Sequence, residues 1–188
     1  MDFENKKILI TGGSSGIGKA IIARLYELGV RDIAVIGRER RKLEALGMDF
    51  PDAHFIYLEG DVADPAHIKA SVARVEQAWG GLDMLINNAG VVSAGPLEQI
   101  SDEDIIAMQN INTTGLILLT KHALPLLKKS RAAAIMNVSS GLGLIGMAFY
   151  APYAATKAAV RQFSEALRRE LAGLSIHVIG NVTTIPIR

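Results

Sequence analysis

Six short apolar runs separated by longer amphipathic stretches constrain the fold of this 188-residue chain more than any other feature. Such alternation is typical of repeated βαβ units around a parallel sheet. A chain of this length builds one α/β domain with a sizeable core and is too short for two. We therefore predict a single domain over residues 1–188 with a doubly wound parallel sheet. Strands are predicted at 8–11, 33–36, 54–58, 84–87, 134–138 and 176–179, and helices at 17–28, 39–46, 65–79, 102–127 and 153–171.

A glycine-rich segment, Thr11-Gly-Gly-Ser-Ser-Gly-Ile-Gly18, lies between the first predicted strand and the first predicted helix. Glycine permits a sharp turn and lets backbone N–H groups approach an anion, and the helix N-terminus adds about half a positive charge. The pyrophosphate of a dinucleotide fits that chemistry. The spacing differs from the general Gly-x-Gly-x-x-Gly fingerprint, so a glycine turn that binds nothing stays an alternative. A P-loop nucleotide triphosphatase is disfavoured, because the lysine that it needs after the glycines is absent.

Tyr153 and Lys157 are four residues apart in a predicted helix, and Ser140 lies thirteen positions before the tyrosine. Side chains at i and i+4 project from one helix face, so we expect the phenol and the ammonium to share an environment. A free tyrosine has a pKa of about 10, and a nearby cation favours the phenolate. The pattern predicts a tyrosine that acts as a general acid or base. A solvated helix lysine at position 157 is the alternative.

Composition and charge disfavour several other classes of function. The formal net charge is +1, so there is no broad electrostatic reason to expect nucleic acid or an acidic membrane as a partner. The chain has no cysteine, which excludes disulfides and thiolate metal sites, and its four histidines show no metal-ligand spacing. No apolar run has the length of a membrane span or the form of a signal peptide. We expect no metal, no membrane association and a cytoplasmic location.

The glycine pattern is followed in order by Asn87-Asn-Ala-Gly90, Asn112, Ser140 and Tyr153-x-x-x-Lys157. With these motifs the chain resembles the short-chain dehydrogenase/reductase family, from residue 7 to about residue 180. The resemblance implies a Rossmann-like sheet and reversible hydride transfer between a nicotinamide cofactor and a small-molecule alcohol or carbonyl substrate. It also implies a homodimer or homotetramer, built on the faces of the helices at 102–127 and 153–171.

The same resemblance implies which residues bind the cofactor. Asp61 and Val62 would form the adenine pocket, although Asp61 could instead cap a turn, as an aspartate after a strand often does. Asn88, Ala89 and Gly90 would line the cofactor cleft. The residues implied at the phosphates are Gly12, Ser14, Ser15, Gly16, Ile17 and Gly18.

Four residues would carry the chemistry, again by resemblance. Tyr153 would donate a proton to the carbonyl oxygen during reduction, and Lys157 would lower the tyrosine pKa and bind the nicotinamide ribose. Ser140, rather than the adjacent Ser139, would hold the substrate oxygen. Asn112 would anchor a water that connects the lysine to solvent.

The residues after the second predicted strand bear on the choice of cofactor. NAD-selective proteins often place an acidic residue there, whereas this chain has Gly37 followed by Arg38. A guanidinium matches a 2′-phosphate in charge and geometry, so NADP(H) is favoured. NAD(H) stays possible, because Glu39 could offset the arginine.

The resemblance weakens after Gly180, where members of the family usually continue into a segment that covers the substrate. We therefore expect a C-terminal substrate lobe to be missing from this sequence, by truncation, by omission of a segment or by natural reduction. This expectation leaves a second hypothesis open. The chain would then be a catalytically silent NAD(P)-binding sensor or interaction module.

Overall fold

The six predicted strands are present in a computed structural model that describes residues 3–183. Four of these strands consist mainly of buried residues, as expected for the central strands of a sheet covered on both faces, whereas the third and last strands, at the two edges of the sheet, are partly exposed. The last strand continues four residues beyond its predicted end. The strands are β1 Lys7–Thr11, β2 Asp32–Gly37, β3 His54–Glu59, β4 Met84–Asn87, β5 Ala133–Ser140 and β6 Ile176–Thr183.

Seven α-helices connect these strands within the described residues. Asp64 caps the fourth helix by accepting the N–H of Ala66, and Ser101 caps the fifth by accepting the N–H of Asp104. Each cap satisfies an N–H group of the first helical turn and so fixes the residue at which the helix begins. The helices are α1 Gly16–Glu27, α2 Arg40–Glu44, α3 Leu46–Asp49, α4 Pro65–Trp79, α5 Asp102–Gln109, α6 Leu116–Leu127 and α7 Ala151–Glu170.

The strands form one parallel sheet in the order β3-β2-β1-β4-β5-β6. The chain moves outward from β1 to β3, then returns to pair β4 with the other side of β1. The order therefore reverses between β1 and β4. Open α/β sheets bind ligands beyond the carboxyl ends of the strands at such a reversal. This confirms the predicted doubly wound, Rossmann-like fold.

The core has two parts, one on each face of the sheet. On one face, residues of α1, α2 and α3 such as Ile22, Leu43 and Leu46 pack against β1 and β2. On the other face, α4, α6 and α7 contribute residues such as Val75 and Leu119. The two layers hold the strand ends, and hence the loops that follow them, in fixed positions.

The predicted helix over 102–127 is divided into α5 and α6 by a π-helical turn at Asn110–Gly115. Gly115 lies in this turn and packs against the loop that follows β3. A Cβ added to Gly115 would lie 2.2 Å from the carbonyl oxygen of Val62 in that loop. A π turn is rare and occurs mostly at functional sites. Here it contains Asn112, one of the predicted site residues.

Candidate active site

The glycine-rich turn joins β1 to α1 at the reversal of strand order. Gly12 and Gly16 have positive φ angles of 65° and 51°, which favour glycine. Ser15 occupies the N-cap of α1 in an extended conformation, but its side chain makes no capping hydrogen bond, and the first turn has no acidic residue. The first N–H groups of α1 therefore lack the partners that a cap would supply, and they are suited to bind an anion.

The loop after β4 is hydrogen-bonded to this turn. The side-chain amide of Asn88 donates to the carbonyl oxygens of Thr11 and Gly12 at 3.0 and 3.1 Å. The hydroxyl of Thr11 accepts the N–H groups of Asn88 and Ala89 at 3.0 and 2.9 Å. The two loops that flank the reversal of strand order are thus fixed relative to each other.

Asn87 differs from Asn88 in pointing into the protein. Its amide nitrogen donates to Thr120 Oγ1 at 2.9 Å and to Asn137 Oδ1 at 2.8 Å. Asn137 in turn donates to Ser164 Oγ at 2.9 Å. The first asparagine of the motif therefore joins β4 to β5 and two helices, while the second shapes the cleft.

A cleft of about 410 Å³, called here the glycine cleft, opens beyond the carboxyl ends of β1 to β4. It brings together every predicted cofactor residue except Tyr153 and Lys157. Sequence reasoning did not assign several further lining residues to the cofactor, although most of them are sequence neighbours of a predicted one. Those additional residues are Ile36, Gly37, Glu39, Lys42, Gly60, Val91 and Ile111.

Asp61 caps a turn and also lies at the glycine cleft. Its carboxylate accepts the N–H of Ala63 at 2.8 Å, so it caps the turn after β3. Its own N–H donates to Nδ1 of His67 at 3.3 Å, and the residue also lines the glycine cleft. Capping the turn fixes the backbone of this wall of the cleft.

The four predicted catalytic residues lie at the end of β5, in the π turn and near the start of α7. We call Asn112, Ser140, Tyr153 and Lys157 the tyrosine cluster. Each is at least 93% buried, with exposed fractions of 1%, 2%, 7% and 5% in that order. Polar side chains buried to this extent require hydrogen-bond partners or a function.

Lys157 is held by backbone contacts with β5. Its ammonium donates to the carbonyl oxygen of Val138 at 3.0 Å, and its own carbonyl accepts the hydroxyl of Ser139 at 3.0 Å. Within residues 3–183 no carboxylate forms an ion pair with this ammonium. The chain therefore buries a cation with donors to spare.

The two adjacent serines have different environments. Ser139 bonds the backbone of α7, as described above. The hydroxyl of Ser140 accepts the N–H of Leu142 at 3.2 Å and lies close enough to the phenol of Tyr153 to lower its pKa. Ser140 is thus the serine that meets the phenol.

Asn112 positions the loop after β4 relative to α7. Its amide donates to the carbonyl oxygen of Val91 at 2.8 Å and to Thr156 Oγ1 at 3.1 Å, and its oxygen accepts the N–H of Val91 at 2.8 Å. Thr156 is fully buried and donates to the carbonyl oxygen of Tyr153 at 2.7 Å. Sequence reasoning missed Thr156, whose position directly before Lys157 was its only signal.

Burial shifts the acidity of both titratable members of the cluster. It raises the pKa of Tyr153 above its ordinary value, and the nearby hydroxyl of Ser140 lowers that pKa by less. Burial lowers the pKa of Lys157 to about 8. The expectation that Lys157 lowers the pKa of Tyr153 is therefore wrong for this structure. The cation lies 5.7 Å from the centre of the phenol ring, and desolvation of the phenol outweighs the opposing effects.

Gly90 connects the glycine cleft with the tyrosine cluster. It lines the cleft, and a Cβ added to it would lie 3.2 Å from Asn112 Oδ1 and 3.6 Å from Lys157 Nζ. The missing side chain leaves the lysine ammonium next to the cleft wall. A molecule in the cleft can therefore reach the cluster past Gly90.

Among residues 3–183, no group of three or more His, Cys, Asp or Glu side chains is placed to hold a metal ion. None of the described helices has the length and apolar character needed to cross a membrane.

Comparisons with known proteins agree with this geometry. The chain is 36% identical over 182 residues to an uncharacterized oxidoreductase from Thermotoga maritima, covering 95% of this chain and 70% of that protein. It is 35% identical to the 3-oxoacyl-(acyl-carrier-protein) reductase FabG of the same organism, covering 95% of this chain and 73% of the relative.

Solved structures show the same fold. A gluconate 5-dehydrogenase from Burkholderia cenocepacia, in complex with NADP and tartrate, matches with a TM-score of 0.89 at 28% identity, over 97% of this chain and 73% of that one. A short-chain dehydrogenase from Streptomyces avermitilis matches with a TM-score of 0.86 at 30% identity, over 95% and 65%. The family model described as short chain dehydrogenase matches residues 6–185. The chain belongs to the short chain dehydrogenase family, whose members include oxidoreductases of the kinds named above.

Proposed function

We propose that this chain is an NADP(H)-dependent oxidoreductase in which Tyr153 transfers a proton to or from the oxygen of a carbonyl or alcohol substrate. The observation that carries the proposal is the junction at Gly90. There a cleft suited to a dinucleotide lies next to Asn112 and Lys157 of the tyrosine cluster, in which a tyrosine, a serine and a lysine are buried. A merely structural helix has no need of these three polar groups at one buried place.

Tyr153 is suited to the role of proton donor. Because burial raises its pKa, the phenol keeps its proton at neutral pH. The hydroxyl of Ser140 lies near the phenol and would hold the substrate oxygen beside it. Reduction needs this protonated form, because in that direction the phenol gives its proton to the substrate oxygen.

Lys157 and Asn112 support this pair. The ammonium of Lys157 has one backbone partner and further N–H donors, which would bind ribose hydroxyls. The amide of Asn112 fixes Val91 and Thr156, and so fixes the wall of the cleft next to Tyr153. The water-anchoring role of Asn112 rests on the family resemblance alone.

The glycine cleft fits a nicotinamide dinucleotide. An added Cβ at Gly16 would meet no atom within 4 Å, so the start of α1 is open to a phosphate group. The bound cofactor would supply the hydride. The residues that would hold it are those of the glycine-rich turn, with Asp61 and Val62 at the adenine and Asn88, Ala89 and Gly90 along the cleft.

Three features support NADP(H) over NAD(H). Gly37 at the end of β2 offers no carboxylate for a ribose hydroxyl. Arg38 lines the cleft and has no hydrogen-bond or ionic partner among the described residues, whereas the nearby carboxylate of Glu39 pairs with Lys42 at 2.6 Å. The Burkholderia cenocepacia relative is a complex with NADP.

Tyr153→Phe tests the proposal, with Tyr150→Phe as a matched control from the start of the same helix. Loss of the phenol proton should lower kcat for carbonyl reduction by about 10²- to 10⁴-fold. NADPH affinity should change by no more than about twofold, because the ring stays in place. Turnover is followed by the absorbance of NADPH, and binding by its fluorescence.

Full turnover by Tyr153→Phe would remove this mechanism. A wild-type chain that binds NADPH but turns over no ketone, aldehyde or sugar would favour the cofactor-sensing module instead. Tyr150→Phe should turn over substrate at the same rate as the wild-type chain.

A further inference from the structure

The residues that follow Ser140 form an uncharged segment beside the tyrosine cluster. In a chain with 21% charged residues, 132–156 contain no Asp, Glu, Lys, Arg or His, and neither do residues 84–97 on the neighbouring strand and loop. These two stretches contain Ser140, Tyr153 and Gly90. The approach to the tyrosine cluster from this side is therefore built without charge.

Several large apolar side chains in these stretches are exposed. We call Val92, Leu144, Ile145, Met147 and Phe149 the apolar rim. Their exposed fractions lie between 42% and 75%. An ordered apolar surface of this kind at a cleft marks a site of binding more often than an accident of packing.

The segment that carries the rim is fastened to the site. Gly143 lies against α7, where an added Cβ would be 2.7 Å from the carbonyl oxygen of Lys157. Leu142 packs on the apolar cluster that includes Tyr153. The rim is therefore held next to the catalytic residues.

The backbone of Phe149, in the segment that carries the apolar rim, is strained. Its φ angle is 70°, in the left-handed region that a bulky side chain rarely occupies. Its carbonyl accepts the N–H of Gly95 at 2.8 Å, which joins the segment to the loop after β4. Strained backbone of this kind occurs preferentially at functional sites.

Acidic side chains border the loop after β4. Asp104 accepts the hydroxyl of Ser93 at 3.1 Å, and Glu98 lies in the short helical turn after the loop. Neither uncharged stretch contains a cation, and the ammonium of Lys157, directly after residues 132–156, is buried. Along these two stretches, a carboxylate or phosphate on a substrate would therefore meet no exposed cation.

We infer that the substrate is a neutral carbonyl or alcohol compound with an apolar alkyl or ring portion that packs on the apolar rim. The inference rests on the proposed function, because it concerns the substrate of the same tyrosine. Sugar acids, phosphorylated sugars and short oxo acids are excluded as good substrates.

A series of straight-chain methyl ketones of increasing length tests the inference. Each methylene that reaches the rim should lower KM by up to about fourfold, the factor that corresponds to about 0.8 kcal/mol per buried CH₂. The matched ketones ending in a carboxylate should have KM values at least about tenfold higher. A KM that is independent of length, or equal for the acids, would overturn the inference.

Ile145→Lys locates the effect, with Met48→Lys as its control. Ile145 is 75% exposed on the rim, and Met48 is 84% exposed on α3, which packs with the opposite core layer. Ile145→Lys should abolish the dependence on chain length and reduce the penalty for the acids, while Met48→Lys should change neither. If Ile145→Lys instead converts a dimer into a monomer and leaves the KM order unchanged, the rim is an interface between copies and the inference fails.

Binding to Tyr153→Phe separates this inference from the proposed function. Ligand-observed NMR in the presence of NADPH should show the long ketones binding more tightly than the short ketones and the acids. That order without any turnover by the wild-type chain would support the apolar substrate site while removing the proposed reaction. Turnover of ketones without that order of affinities would support the proposed reaction and overturn the apolar substrate site.

Discussion

The glycine cleft and the tyrosine cluster are built from different parts of the chain. The cleft presents backbone N–H groups and glycines at the ends of four strands, and its rim at Arg38 is exposed. The cluster presents side chains that are almost fully buried, with Asn112 hydrogen-bonded to Thr156 and Lys157 hydrogen-bonded to the backbone of β5. One region therefore depends on the absence of side chains, and the other on their presence.

This difference determines how each region responds to substitution. In the cleft, one added methyl group can collide with backbone that has no room to move. In the cluster, replacement of a polar group removes chemistry and can also relieve the cost of burying that group. Stability and activity should therefore fall together in the cleft and separate in the cluster.

Gly18→Ala should have the largest effect on the folded state. The added Cβ would lie 2.2 Å from the carbonyl oxygen of Gly12 and 2.6 Å from Asn88 Nδ2. We expect a loss of about 3 kcal/mol or more in the free energy of unfolding, because the nearest atom belongs to the backbone. NADPH affinity should fall with it. Urea unfolding and NADPH fluorescence measure the two effects.

Gly16→Ala is the matched control in the same turn. Its Cβ would meet nothing within 4 Å, and only its φ of 51° opposes a side chain. A loss of about 1 kcal/mol is expected from this strain. Equal losses for the two variants would show that the close approach of Gly12 and Gly18 does not govern the cleft.

Lys157→Met should separate stability from activity in the cluster. The pKa of Lys157 is lowered from 10.5 to about 8 by burial, a change that corresponds to roughly 3 kcal/mol of cost to the folded state at neutral pH. Methionine avoids this cost but loses the bond to Val138. We expect the variant to be about 1 to 3 kcal/mol more stable at pH 7 and to lose its turnover.

The advantage of Lys157→Met should shrink as the pH rises. The folded pKa of about 8 lies below that of the unfolded chain, so the unfolded wild type binds more protons between about pH 8 and pH 10.5. Wild-type stability relative to the variant should rise over this range. Denaturant unfolding at several pH values measures it, with the exposed Lys121→Met as a control that should show no such trend. A constant difference between pH 7 and pH 10 would contradict the assigned cause.

The same difference explains what the sequence could predict. The six strands follow from local apolar runs, and the cleft follows from glycines at one strand end. Both are signals within a few neighbouring residues, which is why the predicted fold is confirmed and the predicted cofactor residues other than Tyr153 and Lys157 lie in one cleft.

The cluster is less visible in the sequence, because its bonds join distant positions. Asn112 forms hydrogen bonds with Thr156 and Val91, which lie 44 and 21 positions away in the sequence. It does so from a π turn that no local sequence pattern predicted. The direction of the Tyr153 pKa was predicted wrongly for the same reason. Helical spacing places the lysine on the same face but gives no measure of how deeply the phenol is buried.

Arg38→Ala should have the smallest effect, because its guanidinium lies at the exposed rim of the cleft. Removal of its charge should weaken NADPH binding by about tenfold, or about 1.4 kcal/mol, and leave NADH binding unchanged. The loss should decrease at high salt, since solvent screens an exposed charge. Dissociation constants for both cofactors, with Arg74→Ala on the outer face of α4 as control, measure the effect. Equal weakening of both cofactors would mean that Arg38 shapes the cleft and does not select the 2′-phosphate. Whichever result is obtained, turnover at saturating cofactor should stay unchanged, because Arg38 belongs to the glycine cleft and not to the tyrosine cluster.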